Sequence, residues 1–275
     1  MDQKHDSRPA RDQAISSPPD DDDVIGDDSK ASRAPAVDRA LSILKLLASE
    51  TMPLGVTEIA KRLDLNPSTC LHVLRALEAA SFVQQWRGGK KYILGPGILV
   101  LARQVLSKDS FLRDIQPKLA RLSERFQCTA LVLQPDNEDH FVVTGIAKVE
   151  GLLSIHIEMG RRVPTLVAAL GRCVAARSGL SEAELKRRFD KLKWASAPDF
   201  ASWRRQVATA RETGIGIDLG NFVAGFSMFS TIVFRGGAIW RAISIVKAGV
   251  EFSKQEIDEI SFALSQLADE ASDYN

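Results

Sequence analysis

The stretch from Val56 to Tyr92 constrains the fold more than any other part of this 275-residue chain. A short amphipathic helix is expected over Val56–Leu63, and a second helix opens at Pro67 after a polar break. Two short runs of strand-forming residues, Phe82–Trp86 and Lys90–Leu94, flank an Arg-Gly-Gly turn and predict a β-hairpin. This order is typical of a winged helix-turn-helix, a module that lays its second helix in the major groove of DNA.

The side chains expected to contact DNA lie at the start of the second helix and on the hairpin. Hydroxyl and amide groups at a helix N-terminus can bind phosphates and base edges, and an arginine two turns along the same side can reach a phosphate or a guanine. Basic residues on the hairpin suit the phosphate backbone or the minor groove. The predicted DNA-binding residues are Asn66, Ser68, Thr69, His72, Arg75, Arg87, Lys90 and Lys91.

A blander interpretation is a small helical domain with solvated charges. In either case Cys70 is expected in the core, and Trp86 is interpreted as a residue that packs the hairpin rather than as a wedge between bases.

The charge of the chain is unevenly distributed. Residues 1–36 carry nine acidic and five basic side chains, a net charge of −4, so the remainder carries +5 within an overall +1. Residues 1–34 are also poor in large apolar side chains, which predicts a disordered acidic tail. Two interpretations of the tail stay open, a solvated segment or an acidic arm that competes with DNA for the basic face.

Apolar periodicity predicts the elements around this module. A packing helix is expected over Val37–Ala48, Met52–Gly55 is expected to turn, and Thr57 is expected to begin or cap the following helix. A linker helix is predicted over Ile98–Leu106. The apolar face of the first helix is expected to consist of Val37, Ala40, Leu41, Leu44 and Leu47.

The second half of the chain mixes helix and strand patterns with antiparallel hairpin signals, so its predicted class is α+β. Strands are predicted over Cys128–Gln134, His140–Lys148, Gly151–Glu158, Phe226–Phe234 and Ala238–Lys247. Helices are predicted over Phe111–Phe126, Thr165–Arg177, Ser181–Phe189, Asp199–Thr213 and Ser253–Ala271.

Several function classes find no support in the sequence. It has no run of about 18 apolar residues, so no membrane span or membrane partner is expected. The polar, acidic N-terminus differs from a secretory or transit peptide, and three scattered cysteines favour a reduced, cytoplasmic location.

Catalytic motifs are equally weak. Gly214-Ile-Gly216 lacks the third glycine of a dinucleotide fingerprint, and Gly225–Phe229 fails the nucleophile elbow at its last position. The four histidines do not form a ligand cluster. We therefore expect no catalytic residue, no metal site and no cofactor, and predict that the chain is not an enzyme.

Over residues 35–272 the sequence resembles the IclR family of bacterial transcriptional regulators. The resemblance is carried by Ala36–Leu44, Leu54–Ala60, Leu65–Thr69, Lys91–Gly95, Gly160–Pro164, Gly171–Arg172 and Gly214–Asp218. It implies a winged helix-turn-helix over residues 35–96, a linker helix over 97–109 and a GAF-like effector domain over 110–275. That domain would be an antiparallel sheet with flanking helices. The resemblance also implies a homodimer or homotetramer on a palindromic operator.

The resemblance further implies an effector cavity beside the antiparallel sheet. Carried over by position, its residues are Ala169, Leu170, Asp218, Phe226, Met228 and Ser244. The chain departs from the family pattern because Thr165–Val167 lacks a common histidine, Met228 replaces a common cysteine and Val246 a common serine. These changes make the expected cavity more apolar and favour an aromatic or partly apolar organic acid over a small dicarboxylate.

The residues themselves leave alternatives open at this cavity. Phe226 and Met228 also fit a hydrophobic core, and Asp218 also fits a turn.

Together these features predict a cytoplasmic, ligand-responsive transcriptional regulator whose second helix, over residues 67–79, reads double-stranded operator DNA. Two other functions remain as alternatives: a DNA-binding head fused to a small-molecule enzyme domain, and a structural DNA-bridging protein.

Overall fold

The computed structural model describes residues 34–137, 139–151, 153 and 155–272. Except for Ala34, the predicted acidic tail lies outside the described residues. The chain forms two compact units with a boundary between Asp114 and Ile115, which we call the N-terminal and C-terminal units. None of the helices among the described residues is long and apolar enough to cross a lipid bilayer.

The N-terminal unit is a winged helix-turn-helix, as predicted. Its three short strands form an antiparallel sheet in the order β1-β3-β2, with Leu54 opposite Tyr92 and Val83 opposite Leu94. The elements are α1 (Pro35–Ser49), β1 (Leu54–Gly55), α2 (Val56–Arg62), α3 (Pro67–Ala79), β2 (Val83–Gln85), a 3₁₀ turn (Trp86–Gly88), β3 (Lys91–Leu94) and α4 (Gly97–Lys108).

Local chemistry explains where α3 begins. The Asn66 side-chain oxygen accepts a hydrogen bond of 2.9 Å from the backbone amide of Ser68, which satisfies a free donor at the helix N-terminus. Pro67 fits the first helical position, where its missing amide hydrogen costs nothing. Asp64, with φ of 50°, makes the tight turn between α2 and α3. One face of α3 then packs Cys70, Leu74 and Leu77 into the core of the unit.

Three predictions in this unit were wrong in detail. Gly55 does not only turn the chain, because it pairs with Lys91 as part of β1 and also precedes α2 as its N-cap. Helix α2 begins at Val56, as in the predicted range Val56–Leu63, and the role of Thr57 as its first or capping residue is wrong. The buried face of α1 centres on Ile43 and Leu47, so Val37 and Leu41 are 55% and 49% exposed. Trp86, placed in a predicted strand, belongs to the 3₁₀ turn.

The C-terminal unit is built on a six-stranded antiparallel sheet with the order β6-β5-β4-β9-β8-β7. This agrees with the predicted α+β class. The helix α5 (Ser110–Phe126) spans the boundary between the units. The remaining elements are β4 (Thr129–Pro135), β5 (His140–Ala147), β6 (Arg162–Pro164), α6 (Ala168–Arg177), α7 (Glu182–Asp190), α8 (Phe200–Thr213), β7 (Ile215–Leu219), β8 (Phe226–Arg235), β9 (Ala238–Ala248) and α9 (Lys254–Ser272).

Helices cover both faces of this sheet. Strand β9 is buried at every position from Arg241 to Val246, although successive side chains point to opposite faces. One face belongs to a large core that includes Leu170 of α6, Phe226 of β8 and Val246 of β9. The opposite face carries Phe229 and Ile245, and α9 packs against β8.

Helix α6 approaches the sheet more closely than a side chain at Gly216 would allow. A Cβ atom at Gly216 would lie 2.1 Å from the carbonyl oxygen of Ala169, and one at Gly171 would lie 1.9 Å from that of Leu166. In the Gly-Ile-Gly sequence, Gly216 of β7 therefore serves helix–strand packing, whereas Gly214 ends α8 in a left-handed conformation with φ of 75°.

The predicted strand over Gly151–Glu158 is wrong, because none of its described residues lies in a strand. Ile155 and Ile157 alternate with the polar residues His156 and Glu158, which resembles the pattern of a strand. The two isoleucines follow this pattern because both pack against the large core, without the hydrogen bonds of a sheet. The edge strand is instead β6, where Pro164 lies opposite His140. Helix α6 also begins later than predicted, at Ala168 rather than Thr165.

Candidate functional site

One side of α3 presents polar side chains to solvent. Ser68, His72 and Arg75 are exposed and lie three or four residues apart, so they share one face of the helix. Thr69 is half-buried and lies at the edge of this exposed face. Because Cys70, Leu74 and Leu77 fix the opposite face in the core, the exposed face has a defined orientation.

Some of the side chains predicted to contact DNA already form hydrogen bonds within the protein, and others do not. Asn66 Oδ1 accepts from both the backbone amide and the hydroxyl of Ser68, the latter at 2.8 Å. The Asn66 oxygen and the Ser68 proton are thus already used in capping the helix. Arg75 makes no ion pair or hydrogen bond with any residue that the structure describes, so its five donors remain available.

The hairpin, which we call the wing (residues 83–94), concentrates positive charge. Arg87, Lys90 and Lys91 are all exposed. The sequence has no acidic residue from Ala79 to Lys108, so no carboxylate within that segment offsets their charge.

The positive charge on α2 is, by contrast, paired with carboxylates. Arg62 forms ion pairs with Glu50 and Glu58, and the hydrogen bond that it donates to Glu58 raises the pKa of the guanidinium. The positive charge of Arg62 is thereby compensated locally, whereas the wing forms no ion pair with another residue in the described part of the chain.

Trp86, interpreted from the sequence as a residue that packs the hairpin, is only partly covered. Its side chain is 42% exposed and lies outside the core of the N-terminal unit, which is filled by Val83 and Tyr92 of the neighbouring strands. The Arg87 guanidinium lies over the Trp86 ring, 5.1 Å from its centroid.

The structure brings most of the predicted effector residues onto one side of the C-terminal sheet. Leu170 and Phe226 belong to the large core, and Met228 is partly buried against it. Ser244 lies two residues from both Ala242 and Val246 on β9, and these two residues belong to that core. Since residues two apart on a strand share a face, Ser244 faces the same side. Ala169 is fully buried where α6 meets Gly216.

A hydroxyl pair lies on that apolar side. The Ser244 hydroxyl forms a hydrogen bond of 2.7 Å with the hydroxyl of Ser230, and both residues are buried. Ser230 was missed from sequence, although its position two residues after Met228 on a strand was sufficient to place it on the same face.

Asp218 is already engaged in a buried ion pair. Its Oδ2 atom lies 2.9 Å from Nη1 of Arg172, and the two side chains are 1% and 0% exposed. Its Oδ1 atom accepts from the backbone amides of Asn221 and Phe222 at 2.9 and 3.3 Å. Each oxygen thus has at least one protein donor. These contacts fit the alternative interpretation of Asp218 as a residue that stabilises a turn, and its assignment to the effector site stays a prediction.

Arg172 is the partner that sequence reasoning overlooked. Besides Asp218 it donates to the carbonyl oxygen of Ala168 at 2.6 Å, to Gln206 at 2.8 Å and to Asn221 at 3.3 Å. Burial lowers the pKa of its guanidinium, and Asp218 opposes that shift. The sequence did contain a signal for this pair, because Arg172 lies in a helix made mostly of Ala, Leu, Cys and Val. A cation in such a helix is buried only when it has partners.

Two cavities of the C-terminal unit lie away from these residues. An open groove of about 570 Å³ is lined by Arg125 and by α9 residues around Phe262. A smaller cavity of about 220 Å³ lies between α6, α8, β8 and α9. Neither is lined by a predicted effector residue.

Comparisons with known proteins cover nearly the whole described chain. Residues 36–86 match the family model described as the IclR helix-turn-helix domain. Residues 103–273 match the model described as the bacterial transcriptional regulator IclR C-terminal domain.

Among curated proteins, the HTH-type transcriptional regulator XynR of Escherichia coli K12 is 28% identical over 191 residues, which are 66% of this chain and 73% of XynR. An IclR transcriptional regulator structure from Alicyclobacillus acidocaldarius has a TM-score of 0.74 at 26% identity, covering 88% of this chain and 98% of that one. An IclR homologue from Microbacterium hydrocarbonoxydans, complexed with 4-hydroxybenzoate, has a TM-score of 0.69. At 17% identity over 86% of this chain and 97% of that one, it shares the fold alone.

Proposed function

This chain belongs to the IclR family of transcriptional regulators, and we propose that it is a ligand-responsive member that binds a palindromic operator as a dimer or tetramer. The observation that carries the proposal is the exposed face of α3, where Arg75 has uncommitted donors. The basic wing lies in the same unit and adds Arg87, Lys90 and Lys91 as contacts to the DNA backbone or minor groove. His72 and Thr69 complete the surface that reads the bases, and the Asn66–Ser68 cap orients it.

The surface of α4 supports self-association. This helix buries none of its residues and exposes large apolar side chains, namely Leu99, Val100, Leu101, Val105 and Leu106. An exposed apolar surface of this kind marks an interaction site, and a second copy of the chain is the partner we assign to it. A symmetric dimer presents two α3 helices to half-sites separated by about 34–36 Å, which requires a palindromic operator.

The C-terminal unit is assigned to effector binding. The apolar side of its sheet, with the Ser230–Ser244 hydroxyl pair, suits a small organic acid with an aromatic or otherwise apolar body. The fold neighbour complexed with 4-hydroxybenzoate supports this ligand class as a first choice for testing. We place Leu170, Phe226, Met228 and Ser244 at the site, with Ala169 beneath them and Asp218 in a supporting role.

The close packing of this region provides a mechanism for the response. A ligand that inserts between Phe226 and Leu170 opens contacts of the core, so it binds best to a population in which those contacts are already rearranged. Coupling of that shift to the DNA-binding units is expected to change operator affinity by about 1–3 kcal/mol. The site of action is the cytoplasm, where the operator lies.

The central experiment uses the full chain and a duplex selected by it from a randomised library. We expect saturable binding to a palindromic sequence, and an affinity that changes when 4-hydroxybenzoate or a related acid is added. The same result separates the regulator from the two alternatives, because a DNA-bridging protein has no effector and an enzyme converts its ligand. Failure to select any sequence would contradict the proposal.

A further inference from the structure

The tip of the wing carries an aromatic side chain where the fold does not need one. Tryptophan is highly buried on average, yet Trp86 is 42% exposed. The core beneath the wing is completed by Val83 and Tyr92, which are 1% and 4% exposed. Removing the Trp86 ring would therefore leave that core intact.

The backbone of the turn is likewise independent of the Trp86 side chain. The amide of Gly89 donates to the carbonyl oxygen of Trp86 at 2.9 Å and closes the turn. Arg87 adopts a left-handed conformation with φ of 49°, and Gly88 follows with φ of 67°. A left-handed arginine is uncommon, and such strained residues concentrate at binding sites.

This conformation holds a cation against an aromatic ring at an exposed tip. The Arg87 guanidinium lies 5.1 Å from the centroid of the Trp86 ring, within cation–π range. Lys90 and Lys91 follow, and the sequence from Ala79 to Lys108 has no acidic residue. A partner for this tip must combine negative charge with an apolar surface, as the sugar walls and phosphates of a DNA groove do.

We propose that Trp86 is a DNA-contacting residue whose ring packs against the deoxyribose wall of the minor groove beside the site of α3. It holds Arg87 in the groove between the two phosphate backbones. Arginine prefers the narrow minor groove of A·T-rich DNA, and apolar side chains recur in minor-groove binding. The pair thus makes this regulator favour A·T-rich flanks. The inference rests on the proposed function in one respect, namely that α3 occupies the adjacent major groove.

The first test compares variants of the full chain on the selected duplex at fixed salt. Trp86→Ala should weaken binding about tenfold, the scale of one aromatic stacking contact, and Trp86→Phe should recover most of the loss. Because no charge is removed, the salt dependence of Trp86→Ala should match that of the parent. Arg87→Ala should reduce the slope of log affinity against log salt by about 1. Gln84→Ala, an exposed uncharged change on β2, is the matched control.

The second test asks which groove is involved. Flanking A·T pairs are replaced by G·C or by inosine·C, which resembles G·C in the major groove and A·T in the minor groove. We expect G·C flanks to weaken parent binding, inosine·C flanks to restore it, and Trp86→Ala with Arg87→Ala to abolish the difference. If inosine·C behaves as G·C does, the minor-groove contact is refuted.

The outcomes also separate this inference from the proposed function. If Arg75→Ala no longer binds the selected duplex while the affinity of Trp86→Ala stays within twofold of that of the parent, the inference fails and the proposed function stands. If the parent selects no duplex, the function itself fails. Thermal unfolding of each variant, expected to match the parent, confirms that a loss of binding is not a loss of fold.

Discussion

The buried pair of Arg172 and Asp218 allows the most direct test of how the C-terminal unit is built. Both side chains are essentially inaccessible to solvent, and every oxygen of the carboxylate has a protein donor. Replacing Asp218 with alanine leaves a guanidinium buried without its counter-charge, and loss of one partner of such a pair costs about 3–5 kcal/mol. For a unit of this size, each kcal/mol lowers the midpoint of thermal unfolding by about 2–4 °C.

We therefore expect Asp218→Ala to lower that midpoint by about 6–20 °C. The assay is thermal unfolding of the full chain followed by fluorescence, because Trp194 lies 6.0 Å from the Arg172 guanidinium and Trp203 is fully buried in the same unit. Operator binding by the N-terminal unit at low temperature serves as an internal control for the undisturbed half.

The double variant Arg172→Met/Asp218→Leu completes a mutant cycle. Since it removes both charges and keeps apolar volume, it should be less destabilised than the sum of the single variants by at least about 1 kcal/mol. If Asp218→Ala left the unfolding midpoint unchanged but abolished the effector response, the structural reasoning would be refuted and the carboxylate would be a ligand contact.

Four further predictions address other parts of the chain. Arg75→Ala should weaken operator binding by about 1–3 kcal/mol in a fluorescence anisotropy titration, whereas Arg62→Ala, whose charge is compensated by Glu50 and Glu58, should have a smaller effect. Hydrogen bonds from Arg187 and Arg188 lower the pKa of Glu184 to about 2, so its stabilising effect is present above its unfolded pKa near 4.5 and is lost as the pH falls towards 2. The difference in unfolding midpoint between the parent and Glu184→Gln should accordingly shrink over that interval, and a constant difference would contradict the ion-pair cause. Gly216→Ala should destabilise the C-terminal unit by about 1–3 kcal/mol in urea unfolding, because its Cβ would overlap the Ala169 carbonyl oxygen. Val105→Asp should shift the chain towards monomer in sedimentation velocity, while Phe262→Asp on α9 serves as an exposed control.

Local sequence signals predicted the fold wherever neighbouring residues determine it. Asn66 and Pro67 fixed the start of α3 because a cap and a preset φ act within one turn of helix. The two residues of β1 gave no such signal, since a strand that short exists only because Tyr92 lies opposite Leu54. The alternation of Ile155 and Ile157 misled for a related reason, because packing against a core and pairing in a sheet produce the same pattern.

The residues of the candidate sites also differ in whether local sequence signals could place them. The exposed face of α3 followed from helical periodicity, so Ser68, His72 and Arg75 were placed together correctly. The pairing of Arg172 with Asp218 joins residues 46 positions apart, and no local pattern reveals it. The exposure of Trp86 depends on how Val83 and Tyr92 fill the core below it, which is a property of three strands together.

The hydrogen bonds of Arg172 also constrain how this unit can change during evolution. One guanidinium serves acceptors on α6, α8, β7 and the loop after it, at Ala168, Gln206, Asp218 and Asn221. A lysine offers a single compact ammonium and cannot span four acceptors that converge from separate elements. A single substitution that removes the charge at either end leaves the other charge buried and unpaired. Among descendants of this sequence, positions 172 and 218 should therefore change together or not at all.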